Sequence, residues 1–232
     1  MAVSKSRSQI MPLAIASTLV LATQLGVSIA HAEVIDFEDV PAPFDDGYGI
    51  FVGPVNDGYR GFEWFTNWNG GFTIPVLSAA VYRNQVTLAS GYQTAIASGT
   101  QAMFIPADYQ QGFCVAKLSR SGPWDLNALS IAGAWRSGLE VEFQGLRGNE
   151  IAFSYTTTVG APGVMNNFAL NFTGIDQFVI ISSGGSPAYP GGDNAALIID
   201  NIGYTVPAPG ALALFALACG CGRRARGGRR RG

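Results

Sequence analysis

Leu139-Glu140-Val141-Glu142-Phe143-Gln144 alternates an apolar with a polar side chain over six residues. A period of two is the signature of a β-strand with one face buried and the other wet. Working outward from it, short segments of the same character recur at 34–40, 61–68, 101–106, 112–118, 126–135, 138–146, 150–159, 167–172, 176–182 and 195–206. They are rich in β-branched and aromatic residues, and Gly, Asn, Asp, Ser and Pro fill the gaps as turn formers. Ser183-Gly184-Gly185-Ser186-Pro187 and Tyr189-Pro190-Gly191-Gly192-Asp193 read as loops. No stretch holds a helical period over three turns with capping signals, and no repeat recurs at a fixed period. An all-β fold follows: a single jelly-roll-like β-sandwich over residues 33–205.

That body lies between two ends of different composition. Residues 1–32 have the layout of a secretory signal peptide: Lys5 and Arg7 at the start, a mostly apolar run from Ile10 to Ile29, and the small-x-small site Ala30-His31-Ala32. Export through the Sec translocon and cleavage by signal peptidase leave Glu33 as the first mature residue. An uncleaved N-terminal membrane helix is the competing reading, and the polar breaks Ser17, Thr18, Thr23, Gln24 and Ser28 favour cleavage.

Residues 206–232 begin Val206-Pro207-Ala208-Pro209-Gly210 and continue through the apolar run ALALFALAC (211–219). Arg223, Arg224, Arg226, Arg229, Arg230 and Arg231 follow. A proline-bounded spacer, a short hydrophobic segment and a basic end resemble the PEP-CTERM sorting signal of Gram-negative bacteria. The resemblance implies an exosortase-type sorting enzyme as partner and a final place at the cell surface or outside the cell. Here the family's Pro-Glu-Pro is Pro207-Ala208-Pro209. Arginines are held on the cytoplasmic side, which orients the folded domain outward. At 17 residues, 206–222 only reaches the lower limit for a spanning helix, which suits a transient stop in the inner membrane before processing.

The body also resembles the extracellular sandwich domain that often precedes such tails. The resemblance rests on Asp36-Phe37-Glu38 in the first strand, the run from Ser130 to Gly148, Phe168-Ala169-Leu170-Asn171-Phe172, and Ile198-Ile199-Asp200-Asn201-Ile202 in the last strand. It implies a surface or matrix protein with no catalytic signature to carry over.

Composition narrows the chemistry. Residues 33–205 hold six basic and sixteen acidic residues, a formal net charge of −10 that the whole-chain value of −2 conceals. Phosphate binding needs a basic surface, so nucleic acid is excluded as a partner. The one histidine, His31, falls in the signal peptide, which removes histidine triads and His-ligated zinc from the body. Cys219 and Cys221 lie in the tail, so Cys114 is alone in the body and reads as a buried, inert thiol.

Three sets of residues carry the remaining options. First and last strands of such sandwiches commonly pair, which brings Asp36 and Glu38 near Asp200. Three carboxylates there suit a structural Ca²⁺, whereas acids ending two strands need no ligand at all. Trp64, Phe65, Trp68 and Phe72 share a Gly/Asn-rich region, with Trp124 and Trp135 further on. Trp68 between Asn67 and Asn69 offers a ring for stacking on a sugar and amides for its hydroxyls, the alternative being a core anchor. Glu140 and Glu142, about 7 Å apart on one strand face, are the pair a polysaccharide hydrolase or lyase would use, and a wet strand face explains them equally. The sequence therefore points to an exported, non-catalytic protein that binds glycans or has a structural role in exopolysaccharide, with the carboxylate enzyme as alternative.

Overall fold

The computed structural model describes residues 30–41, 44–45, 51–66, 80–83, 90–107, 112–190 and 194–207. Within them lie eleven strands: β1 (His31–Ile35), β2 (Phe44–Asp45), β3 (Phe51–Pro54), β4 (Glu63–Thr66), β5 (Ala80–Arg83), β6 (Gln101–Ile105), β7 (Cys114–Gly133), β8 (Arg136–Arg147), β9 (Glu150–Val159), β10 (Asn166–Pro187) and β11 (Leu197–Val206). All pairings are antiparallel, in the order β2-β3-β5-β6-β11-β7-β10-β8-β9, with β1 added to β11 and β4 to β7. The chain folds as the all-β sandwich its alternation predicts.

Two long strands make a sandwich out of one sheet. The first half of β7 pairs with the second half of β10, Cys114 opposite Ser182 through Ser119 opposite Gln177. With β4, β8 and β9 these halves form one layer. The second half of β7 pairs with the first half of β10 and with β11, which begins the other layer. Between the halves both strands bend. β7 turns at Ser121-Gly122-Pro123, with Gly122 at φ 87°, a left-handed conformation that glycine adopts without steric cost. Pro123 is exposed there, where no ladder donor is needed. β10 shifts register between Ala169 and Gln177, and Asn171 and Gly174 both take positive φ. The Gly174 amide donates to Asp125 Oδ1 at 2.7 Å, which ties the two bends together. For this reason the expected pairs 112–118 with 126–135 and 167–172 with 176–182 are single strands, their turn residues being bends within a continuous ladder. β2, β3 and β5 are additions that short irregular segments did not announce.

Packing follows the alternation. Leu139, Val141 and Phe143 of β8 are fully buried, while Glu140 is exposed on the outer face. Trp124, Phe62 and Tyr204 meet edge-to-face with ring centroids 4.9 and 5.0 Å from Phe62, and Trp64 and Phe37 join them. Each fully buried ring of this kind contributes on the order of 1.5–3 kcal/mol through burial. Cys114 is buried as expected, and removal from solvent pushes its thiol up to about 12, far from thiolate chemistry at neutral pH.

First and last strands do lie side by side. β1 pairs with β11 from His31 opposite Val206 to Ile35 opposite Ile202. β11 thus extends one residue into the expected sorting segment, and β1 starts two residues before the expected mature end. The Tyr204 hydroxyl donates to Glu33 Oε2, which holds the Glu33 carboxyl below its ordinary range.

Candidate functional site

β11 has two successive partners along one edge. Ile199 back to Leu197 pairs with β6, and Ile202 onward pairs with β1. Between them β11 shifts register at Asp200, and Asn201 takes φ 52°. The segment after β1 and the loop before β6 meet at this hand-over, where the expected acidic residues gather. Asp200 is fully buried. Its Oδ2 accepts from the Ala97 and Ser98 amides at 2.9 and 3.0 Å, and its Oδ1 accepts from the Asn201 amide at 2.7 Å. Glu38 reaches the same loop from the other side, accepting from the Thr100 and Gln101 amides at 2.8 and 2.7 Å and from the Thr100 hydroxyl at 3.2 Å. The Gln101 side chain returns the contact, donating to the carbonyls of Phe37 and Glu38. Asp36 Oδ1 sits 3.4 Å from the Glu38 amide.

Two carboxylates therefore grip one loop, 97–101, by its backbone amides. Burial pushes the Asp200 carboxyl up to about 6, its three amide donors oppose that rise, and the Glu38 charge adds to it. Gly99 lies between them at φ 61°, and a Cβ there would fall 2.3 Å from the Glu38 carboxyl carbon. Glu38 and Asp200 thus meet at one loop, but β1 ends at Ile35 and Phe37 takes φ 61°, so Asp36 and Glu38 follow the first strand instead of sharing a face within it as expected. The Glu38 and Asp200 oxygens face N–H donors, and among the described residues no group of three His, Cys, Asp or Glu is arranged to hold a metal ion.

A second feature lies at the open side of the sandwich. β9 pairs only with β8, and the first half of β10 only with β7, among the described residues. These two edges stand across a cleft of about 530 Å³ lined by Ser154, Tyr155, Asn167, Phe168, Ala169, Leu170 and Phe172. Tyr155 lies directly opposite Phe143 in the ladder, so its side chain belongs to the inner, apolar row of the layer. At the sheet edge that row runs out of cover, and Tyr155 is 45% exposed. Its ring stacks 6.2 Å from Phe143 at an interplanar angle of 6°, and Phe143 stacks in turn on Phe178. Phe168 closes in at 6.2 Å from Tyr155 and 5.4 Å from Phe143. The tyrosine is an exposed platform with a rigid aromatic backing.

Polar side chains next to Tyr155 and Phe168 in sequence turn to the outer faces. Asn167 Oδ1 accepts from the Ser130 hydroxyl at 2.6 Å, which fixes the carboxamide. The Ser154 hydroxyl donates to Glu142 Oε1 at 3.0 Å, and Gln144 Nε2 donates to the same oxygen at 2.8 Å. Glu142 is thus held on the outer face of β8 within a polar row. An exposed flat ring is chemically matched to the C–H face of a sugar, on which it can stack.

Of the aromatic residues singled out in the sequence, Trp64 and Trp124 are core, and Trp135 is partly buried against it. Phe65 is exposed at 47%, with the Lys117 ammonium 5.7 Å from its ring centre. Trp68, Asn67, Asn69 and Phe72 lie outside the described residues, as do Ala208, Pro209 and Gly210. The Tyr155 cleft was not anticipated. Its signal was present: residues 151–175, which contain every residue lining it, carry no charged side chain.

No family model matches the chain. No curated protein matches it. Among solved structures, CBM61 in complex with β-1,4-galactotriose aligns with a TM-score of 0.38 at 10% identity, covering 62% of this chain and 87% of that one. A family 29 carbohydrate-binding module aligns with a TM-score of 0.34 at 14% identity, over 76% and 93% of the two chains. A CBM32 from Clostridium perfringens, in complex with GalNAc-β-1,3-galactose, gives 0.33 at 11% identity, over 61% and 96%. At these scores the likeness assigns no role to any residue here.

Proposed function

We propose that this chain is an exported, non-catalytic surface or matrix protein whose sandwich binds glycan through the cleft between β9 and β10. The observation that carries the reading is Tyr155: a half-exposed ring at the rim of the cleft, stacked on the buried Phe143. Leaving an aromatic ring wet costs stability that burial would return, about 1.5–3 kcal/mol at full burial. A ligand that covers the ring recovers part of it. Export by the N-terminal segment and sorting by the tail place such a module among extracellular polysaccharides, and those two assignments rest on the residues at the chain ends. Trp68 with Asn67 and Asn69 is a second candidate contact for the same ligand.

The test is a glycan array probed with the wild-type chain and with Tyr155→Ala. Binding that falls at least fivefold in the variant, with unchanged circular dichroism, supports the reading. Binding that is equal in both chains removes the cleft from it, and no binding to any glycan by the wild type removes the function.

A further inference from the structure

Resting on the glycan reading, we infer that the cleft between β9 and the first half of β10 selects uncharged polysaccharide and rejects uronic-acid and sulfated chains. The run 151–175 is 25 residues without one acid or base, and it supplies both walls. The rest of the body is the reverse, with a net charge of −10 over residues 33–205. A polyanion approaching the cleft meets that field at long range and finds no arginine or lysine in the lining to pair with its carboxylates or sulfates. Glu142 is coupled to the lining through the Ser154 hydroxyl and has the wrong sign, while the Arg147 guanidinium at the far end is taken up by the Thr173 and Gly174 carbonyls and the Phe153 ring.

What the lining does offer suits hydroxyls. Among the described residues the edges of β9 and of the first half of β10 are unpaired, and they offer backbone N–H and C=O groups along the walls. The β10 wall runs from Asn167 to Phe172 and bends at Asn171, so a run of chain, not a single ring, lies against it. Stacking and neutral hydrogen bonds are both little affected by salt, whereas binding of a polyanion weakens as salt rises.

The experiment is affinity electrophoresis of the purified full chain, Tyr155→Ala and Tyr155→Phe through gels containing galactan, glucan, mannan, alginate or polygalacturonate, at 20 and 500 mM NaCl. The expected result is retardation on at least one uncharged polymer, changing less than twofold between the two salts. It should be lost at least fivefold in Tyr155→Ala and kept in Tyr155→Phe, whose ring still stacks. Retardation on the anionic polymers alone, still lost in Tyr155→Ala, overturns the selectivity and leaves glycan binding standing. Absence of any Tyr155-dependent retardation overturns both.

Discussion

Gly99→Ala places a methyl group where the Glu38 carboxylate already sits. The added Cβ would lie 2.3 Å from the carboxyl carbon and 2.4 Å from one oxygen, distances that real contacts do not reach. Two costs follow. Alanine at φ 61° bears the left-handed penalty, about 1 kcal/mol. Glu38 must also swing away, which releases the Thr100 and Gln101 amides it holds at 2.8 and 2.7 Å. Bonds to a charged acceptor contribute about 1.5–3 kcal/mol each. Glu38 is exposed and water replaces part of the loss, so the lower end applies and the two together give about 3 kcal/mol. Gly99→Ala should therefore cost about 4 kcal/mol and Glu38→Ala about 3. In the double variant the carboxylate is already gone, so the total should stay near 4 kcal/mol, well short of the roughly 7 of simple addition. Urea unfolding of the four proteins measures this directly, with unchanged slopes as the check that the unfolded state is comparable. Additive costs, or a Gly99→Ala loss under about 1 kcal/mol, would refute the gripping of loop 97–101.

The Asp200 carboxyl has a folded value raised to about 6 from 3.8, so its protonated form favours the fold: that contribution is complete below pH 4 and is lost as pH rises through 6. Comparing melting temperatures at pH 4.5 and 7.5, Asp200→Asn should reduce whatever stabilisation the wild type gains at the lower pH; an unchanged difference between the two pH values refutes this. Calcium at Asp36, Glu38 and Asp200 would have to displace the amide donors that the Glu38 and Asp200 oxygens now face. If it does, millimolar Ca²⁺ should raise the melting temperature by several degrees, since a hundredfold excess over Kd stabilises by about 2.7 kcal/mol, and Asp200→Asn should remove most of the rise. No shift in the wild type leaves these oxygens to the loop amides alone. Mass spectrometry of protein from its native host should find Glu33 as the first residue and a product without the arginine cluster, and intact Gly232 in the surface fraction would refute the sorting. Incubation with the same polysaccharides should yield no new reducing ends, and their appearance, lost in Glu142→Gln, would restore the hydrolase.

The alternation in 139–144 was enough to predict β8, its buried row and its wet row, because one residue's shift in register would invert every side chain. Pairing of the first and last strands followed from the resemblance to such sandwiches, though not what the Glu38 and Asp200 carboxylates hold. That depends on loop 97–101, about a hundred positions away from Asp200, and no local pattern encodes so distant a contact. Gly122-Pro123 and Thr173-Gly174 read as turns because local chemistry is the same for a chain reversal and for a bend within a strand; only the partner strand decides. Tyr155 was hidden for a related reason. It occupies an inward position like Phe143, and its exposure follows from lying at the sheet's edge, a property of strand order.

β1 and β11 bring His31 and Val206 opposite each other, so the folded domain enters and leaves at one point. Seen mechanically, that point is a single hinge. A pull applied through the tail is delivered to β11, which is laddered to β7 on one side and to β6 and β1 in succession on the other. Force along such a strand loads its hydrogen bonds together in shear, whereas a hairpin at the margin of a sheet would unzip them one at a time. A module hanging by its C-terminal end and dragged by a polymer in the cleft would thus take the strain at that end in its best-supported strand.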